Sequence, residues 1–378
     1  MKPLALLINK FIPPDEAPTA RLLGDVGECF IEAGWDVEYL GRTSGYRTQS
    51  RGLAHRVVDE ISFHLQILGR TLFRRKPSLL ISLTSPPGLV FTVSLLSKLT
   101  GARHIHWCMD LYPDIAVALG ALKQRSWINR IWESVTNWAY DGCSHVVALD
   151  EDMQERFSQK GVTAKIQVPW APDPGQSTTF ISKDDGTLSD ERNTWLYSGN
   201  LGRAHEWKTL LAAQGILENR GSSIRLVFQG GGPEMPLAKE AAQELSLSRV
   251  EWRDYAPKDQ LIGQLLSAKA LVVTQRPESV GMLYPSKLNL IEPSETPIIW
   301  VGDIDCSIAR RLSHQARYCL ASPGDATKIA DFIEGLQEPP ADLETRFRNL
   351  QMGVNAQKQE GHQFWVELAQ HECSTPSN

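Results

Sequence analysis

Short apolar runs alternate with stretches of helical periodicity along most of this 378-residue chain, and nothing else constrains its fold as strongly. LALLIN (4–9), DVEYLG (36–41), SLLISL (78–83), RHIHWCM (103–109), HVVAL (145–149) and AKIQVPW (164–170) read as strands. Helical stretches separate several of them, at 18–34, 86–101, 128–143 and 151–161. A strand, helix, strand repeat builds a parallel sheet through right-handed crossovers. The alternation restarts with TWLYSG (194–199), SIRLVFQG (223–230), VEWRDY (250–255), ALVVTQ (270–275) and PIIWVG (297–302). Its helices fall at 206–221, 234–247 and 257–269, then at 286–295 with a break at Pro293, and only helices are expected after 302.

Between the two sets, residues 171–193 are rich in Pro, Gly, Ser, Thr and Asp and poor in apolar residues, which marks a linker. The expected class is α/β: two Rossmann-like, doubly wound parallel-sheet domains facing a central cleft. The expected boundaries are 1–175, a linker at 176–193, 194–355, and a C-terminal helix and tail over 356–378. Such a length suits two domains. The net charge of −5 gives no case for nucleic acid as a partner. No two of the six cysteines stand at CxxC spacing, so a zinc or redox motif is not expected. No signal peptide is read at the start, and no apolar segment reaches the ~18 residues of a membrane span. The expected location is cytoplasmic.

Ligands of such sheets bind outside the carboxyl ends of the strands. YSGNLGRAHEW (197–207) follows the first strand of the second set, where Gly199 and Gly202 let backbone approach a ligand, Arg203 can grip phosphate, and a following helix start favours an anion. A plain strand–helix turn explains the same residues. FQGGGPEM (228–235) leaves open backbone around Gln229 and Gly231, and Tyr255 ends the third strand. PESVGMLYPSKL (277–288) lies at the same sheet edge, with Pro285, Ser286 and Lys287 at an expected helix start. A Lys there opposes the helix dipole unless an anion binds.

At these residues the chain resembles the nucleotide-sugar domain of GT-B glycosyltransferases of the retaining family 4 type. The bacterial exopolysaccharide or colanic-acid-type branch, with its PSK motif, is the nearest in pattern. YSGNLGRAHE, FQGGGP, RDYAPKDQL (253–261) and RPESVGMLYPSKL (276–288) carry the resemblance, and SPPG (85–88) and DLYPDIAVALG (110–120) extend it to the first half. The family marks its donor site with a Glu, seven residues and a second Glu. Glu278 matches the first, and Ser286 stands in place of the second.

The resemblance implies a hexose transferred from a nucleotide diphosphate sugar to a lipid-linked or saccharide acceptor, with no cofactor beyond the donor itself. Asn200 belongs to the implied donor loop. Lys287 and Arg203 would face the diphosphate, Ser286 the ribose, and Glu278 the sugar hydroxyls beside the backbone of Gly281, Met282 and Leu283. Asp110 would lie near the acceptor hydroxyl or donor sugar, although a plain turn cap explains it equally. The last helix, 361–372, would pack back on the first half. A nucleotide-sugar epimerase of the same fold and an inactive binding subunit remain open alternatives.

Arg, Lys and a helix N-terminus can stabilise a diphosphate leaving group, so a metal is not expected. Of two DxD triplets, DED (150–152) reads as an acidic helix start and DID (303–305) lacks the expected context. Asp15, Arg21 and His106 are candidates on the acceptor side. LAHRVVDEISFHLQILGRTLFRRKP (53–77) has an apolar helical stripe at 57, 58, 61, 65, 68 and 72, with Phe63, Ile67 and Phe73 off it and a basic end at Arg70, Arg74, Arg75 and Lys76. Such a helix can lie on an anionic membrane surface, and a buried helix with a basic end accounts for the same pattern.

Overall fold

The computed structural model describes residues 2–45, 53–73, 75–175, 191–315, 317–337 and 342–374, and only the backbone of 53–57. Most of the expected linker, together with Arg74 and the tail after Ser374, lies outside the described residues. Contacts divide the chain into two compact units. The first is Met1–Pro169 with Gly281–Tyr284 and Gln359–Asn378, and the second is Trp170–Val280 with Pro285–Lys358.

In unit 1, β1 (Leu4–Phe11), β2 (Asp36–Arg42), β3 (Leu79–Ser82), β4 (Arg103–Trp107), β5 (His145–Ala148) and β6 (Ala164–Ile166) form one sheet in the order β2-β1-β3-β4-β5-β6. Every pairing is parallel. All eight residues of β1 are buried, as expected of a strand covered on both faces. The helices are α1 (Pro18–Glu32), α2 (Leu53–Leu72), α3 (Leu89–Thr100), α4 (Asp114–Ala118), α5 (Trp127–Asp141) and α6 (Glu151–Gln159).

The packing of α2 corrects the sequence reading. Phe63 and Ile67, read as off the stripe, are each 2% exposed and pack on Leu89, Val93 and Leu96 of α3 and on Leu6, Ile8 and Leu80 of the sheet. Of the residues read as the stripe, Val58, Ile61, Leu65 and Leu72 face solvent, Leu68 packs partly against the core, and the Val57 side chain lies outside the described residues. The helix is apolar on more than one side, and periodicity alone does not say which side packs.

In unit 2, β7 (Thr194–Ser198), β8 (Arg225–Gln229), β9 (Val250–Arg253), β10 (Ala270–Thr274), β11 (Ile298–Val301) and β12 (Tyr318–Ala321) run parallel in the order β12-β11-β10-β7-β8-β9. Counted within the unit, this is the 3-2-1-4-5-6 order of dinucleotide-binding sheets. The edge strand β12 occupies a region where only helices were expected. The last helix, Leu343–Ser374, is far longer than the expected 361–372. Its early part belongs to unit 2, where the Arg346 guanidinium donates to Thr296 Oγ1 (2.7 Å) and to the Leu266 carbonyl. Its later part belongs to unit 1, where Trp365 packs on Trp107 (5.1 Å between rings) and the Trp35 indole donates to the Ala369 carbonyl (3.1 Å).

Candidate active site

The strand order of unit 2 reverses between β7 and β10, and ligands of such sheets bind where the loops diverge at that point. The loop after β7 is laced to the loop after β8. Gly199 N–H donates to the Gln229 carbonyl (2.8 Å), Leu201 N–H to the Gly231 carbonyl (2.7 Å), and Glu234 N–H to the Leu201 carbonyl (3.1 Å). Backbones this close exclude side chains. A Cβ on Gly230 would stand 2.2 Å from the Gly199 carbonyl oxygen, and one on Gly232 would stand 2.4 Å from that of Leu201. Both glycines hold positive φ, +130° and +124°. Tyr255 is exposed and leans over Gly231, 3.3 Å from where its Cβ would be. The result is a floor of bare peptide at the switch point. Gln229 lies beneath it, 2% exposed, its amide nitrogen bonded to Gln264 (2.7 Å) and its side-chain oxygen without a partner.

Lys287 borders this floor. Its ammonium stands 3.5 Å from the Tyr197 ring centroid and 3.5 Å from a Cβ placed on Gly199. The nitrogen is shielded from solvent and has no hydrogen-bond partner. Burial pulls its pKa from the ordinary 10.5 down to about 7. The ring face returns about 2 kcal/mol to a desolvated cation, whereas leaving water costs an ion several kcal/mol. The site is therefore short of an anion. Ser286 is exposed beside it.

Sequence reasoning missed the residues that surround this lysine. The His205 Nδ1–H donates to the Thr274 carbonyl (2.8 Å), and its ring meets the edge of Tyr197. Burial and then the charge of Lys287 hold His205 down at about 3, so it is neutral. The Arg276 Nε–H donates to the His205 carbonyl (3.4 Å), and its guanidinium lies 3.8 Å from Glu234, which the Trp207 indole also engages (3.1 Å). The signals were present, since His205 ends GRAH and Arg276 opens RPES, but neither residue belongs to the motif positions.

Two expectations about helix starts need correction. The helix after the first loop begins at Lys208, and the Glu206 carboxylate accepts its Thr209 N–H (3.0 Å), so an internal anion already caps it. Pro285 does not open a helix. A turn leads to the four-residue helix Leu288–Ile291, and the peculiarity of Lys287 is its burial rather than its place in a helix dipole. Asn200, Gly202 and Arg203 follow Gly199 in the first loop, with Arg203 exposed and the Asn200 carbonyl accepting the Tyr197 hydroxyl (2.8 Å). Glu278 is exposed in the one-turn helix Pro277–Ser279.

The other candidates lie in unit 1. Thr84 Oγ1 accepts the N–H groups of Met109 (2.8 Å) and Asp110 (3.3 Å) and fixes the turn after β4. Asp110 forms an isolated antiparallel bridge with Leu283, and Leu111 N–H donates to the Met282 carbonyl (2.7 Å). Burial pushes the Asp110 carboxyl up to about 6. Gly281, at φ +71°, lies against Asp152, whose carbonyl oxygen would be 2.6 Å from a Cβ there. Asp15 accepts the Ala17 N–H (2.8 Å) at the entry to α1, and Arg21 pairs with Asp25 (3.2 Å).

His106 is a correction. It is 1% exposed and its Nδ1 shares Ser82 Oγ with His104, at 2.8 Å each, so it lies in the core and not on an acceptor surface. Burial drives its pKa down to about 3. Asp150 caps α6 by accepting the Met153 N–H (2.8 Å), which is the helix-start reading of the DED triplet. Among the described residues, one group of side chains is close enough to share a metal: His145, His371 and Glu372. Glu372 there already meets Arg103 (2.8 Å) and His145 (3.1 Å), contacts that hold the end of the last helix to unit 1.

Two parallel-sheet α/β units, with a glycine-laced loop pair at the switch point of the second, have the architecture of the GT-B class. Solved structures of that fold match the whole chain at low identity. Sucrose-phosphate synthase from Thermosynechococcus elongatus is 16% identical, with 97% of this chain and 99% of that one covered and a TM-score of 0.68. HepE (Alr3699) of Anabaena, solved in complex with UDP, is 15% identical with 98% of both chains covered and a TM-score of 0.60. WaaG, a glycosyltransferase involved in lipopolysaccharide biosynthesis, is 14% identical, covering 98% and 95%, with a TM-score of 0.54. A curated relative from Escherichia coli (strain K12), named provisionally as the colanic acid biosynthesis glycosyl transferase WcaI, is 24% identical over 268 residues. That match takes in 68% of this chain and 63% of the relative's length. No family model matches the chain.

Proposed function

We propose that this chain is a retaining glycosyltransferase. It moves a hexose from a nucleotide diphosphate sugar to a lipid-linked or saccharide acceptor, in bacterial surface polysaccharide or glycolipid synthesis at the cytoplasmic face of the membrane. The observation that carries this reading is the Lys287 ammonium, desolvated and unpaired beside bare glycine backbone at the switch point of unit 2. A diphosphate supplies the missing anion. The names of the relatives point the same way, since HepE was solved with UDP and WcaI is provisionally a glycosyl transferase.

In this reading Lys287, with Arg203 and Arg276 nearby in the two loops, neutralises the charge that grows on the diphosphate as the glycosidic bond breaks, without a metal. Gly199, Gly202 and Gly231 admit the nucleotide, Tyr255 borders its base, and Ser286 bonds the ribose. Glu278 holds the sugar hydroxyls together with the backbone of Gly281 to Leu283. The departing phosphate takes the acceptor proton. Asp110, with its pKa lifted to about 6, orients the acceptor hydroxyl or the sugar.

The test is a melting screen of the whole chain against UDP-, GDP- and other nucleotide sugars, paired with Lys287→Met. At a ligand concentration about 100 times Kd, a binder raises stability by about 2.7 kcal/mol. The variant should lose roughly tenfold to a hundredfold in affinity, the worth of one charge-assisted hydrogen bond. If no nucleotide sugar shifts the melting of the native chain, the donor reading is wrong.

A further inference from the structure

We propose that the outer face of α2, α3 and α5 in unit 1 is a docking surface for an anionic lipid bilayer, with the start of α5 as its anchor. Three observations converge on this face. The first is exposed apolar surface on a rigid frame. Trp127 is 71% exposed, Ile128 48% and Ile131 55%, and they share one side of α5. The other side packs inward through Asn129, Thr136, Ala139 and Tyr140. Ser126 caps the helix by accepting the Asn129 N–H (3.1 Å), and the Asn129 amide donates to the Gln124 carbonyl (2.9 Å), so Trp127 projects from a fixed helix start. A tryptophan that stands mostly in water on a fixed frame lacks the burial that such a ring normally finds.

The second observation is charge. Lys123, Arg125 and Arg130 are all exposed around the same helix start. The acidic residues of α2 are neutralised within the unit, Asp59 by Arg42 (2.6 Å) and Glu60 by Lys10 (2.5 Å). On α5, Glu133 and Asp141 lie farther along the helix. Apolar anchors ringed by Lys and Arg complement phospholipid headgroups and the acyl boundary beneath them.

The third observation is continuity and place. α3 packs against both α2 and α5, so their outer sides form one layer. Val58, Ile61 and Leu65 extend the apolar surface across α2, and Phe91 of α3 touches Trp138 of α5 (5.6 Å between rings). α5 is reached from β4 through α4, and Tyr112, just after β4, stacks on Trp132 of α5 (5.8 Å between rings), which sets the start of α5 beside the segment that follows β4. Asp110 lies in that same segment. The bilayer surface does not depend on the donor-site reading. The further step, that the acceptor is the lipid-borne kind rather than a soluble saccharide, does rest on it.

The experiment is sedimentation of the full chain with vesicles of neutral phosphatidylcholine, or of the same lipid with about one-third phosphatidylglycerol, at low and high salt. The native chain should pellet with the anionic vesicles, and high salt should release much of it. Trp127→Glu with Ile131→Glu should lower the partition roughly tenfold or more. Charge reversal at Lys123, Arg125 and Arg130 should lower it by about fivefold per residue on anionic vesicles only. These side chains are exposed, so melting and nucleotide-sugar binding in unit 2 should not change, which separates this test from that of the donor site. A native chain that stays in the supernatant, or a double variant that pellets as well as the native one, overturns the proposal. So does a concentration-dependent dimer that the same substitutions abolish, because a second copy would then be the occupant.

Discussion

Each unit buries a lysine ammonium near the carboxyl edge of its sheet, and the two are held differently. Lys10, in β1 of unit 1, is 4% exposed and meets Glu60 (2.5 Å) and Asp59 (3.3 Å). Arg42 braces Asp59 from the other side. Lys287, in the loop after β10 of unit 2, has an aromatic ring face and no acceptor. The first lysine is satisfied within the fold and ties α2 to β1. The second is left incomplete, and an incomplete buried charge is a strong pointer to a ligand. Two sheets of similar build thus divide the work. One uses its edge to hold itself together, and the other holds an edge open.

The glycines divide the same way, and they give the largest expected effect. Gly88 of unit 1 begins α3 at φ +83° with open space around it. Gly230 of unit 2 has positive φ and the Gly199 carbonyl 2.2 Å from its would-be Cβ. Gly88→Ala should cost about 1–2 kcal/mol, the strain of a left-handed residue alone. Gly230→Ala should cost roughly 3 kcal/mol or more, because the two loops must also part. It should abolish nucleotide-sugar binding in whatever fraction stays folded. Chemical denaturation of both variants measures the gap, and equal costs would mean that the laced floor is no tighter than an ordinary turn.

The lysines themselves come next, with effects of opposite sign. Lys10→Met leaves Glu60 without its cation and Asp59 with Arg42 alone, and the 3–5 kcal/mol of a fully buried broken pair, discounted for solvent, leaves about 2 kcal/mol of destabilisation. Lys287→Met removes a charge that the ligand-free fold holds at a cost, so the ligand-free protein should become more stable while its affinity for the donor falls. Paired melting curves with and without nucleotide sugar distinguish the two roles. If Lys287→Met destabilises the free protein as Lys10→Met does, the ammonium is structural and the contrast between the units fails.

Much of this was legible in the sequence, because alternation of buried strands with amphipathic helices follows from local pattern. The edge strand Tyr318–Ala321 escaped because four residues beside an ordinary turn make no distinctive run. The early part of the last helix escaped because its apolar residues are sparse. Contacts hold it instead, and at Gly353 it passes so close that a Cβ would stand 2.5 Å from Pro293. At the site, the motif positions Gly199, Gly231 and Lys287 could be read, but the state of Lys287 could not. That state depends on which side chains are absent around it, and spacing carries no record of an absence. His106 failed for a related reason. Strand alternation puts His104 and His106 on one face, but which face the core covers is decided by α3 and α5, through Ser94 and Tyr140.

The smallest effect is also the most specific to Lys287. With its pKa lowered to about 7 in the free protein, the lysine is largely neutral at pH 8 and largely charged at pH 6. The unfolded chain keeps that proton up to about 10.5, so between roughly pH 7 and 10.5 the unfolded state binds more protons and stability rises with pH. Below pH 7 both states are charged and this contribution is flat. A bound diphosphate restores the charged form, so donor binding above pH 7 must draw in a proton, close to one at pH 8. The donor diphosphate is esterified at both ends and does not titrate in this range. Affinity should therefore fall by up to about tenfold for each pH unit above 7. Calorimetry at pH 8 in two buffers of different ionisation enthalpy reads the uptake directly. Lys287→Met should abolish it. Uptake that survives this substitution would assign the proton to another group and remove the reason for treating the two lysines differently.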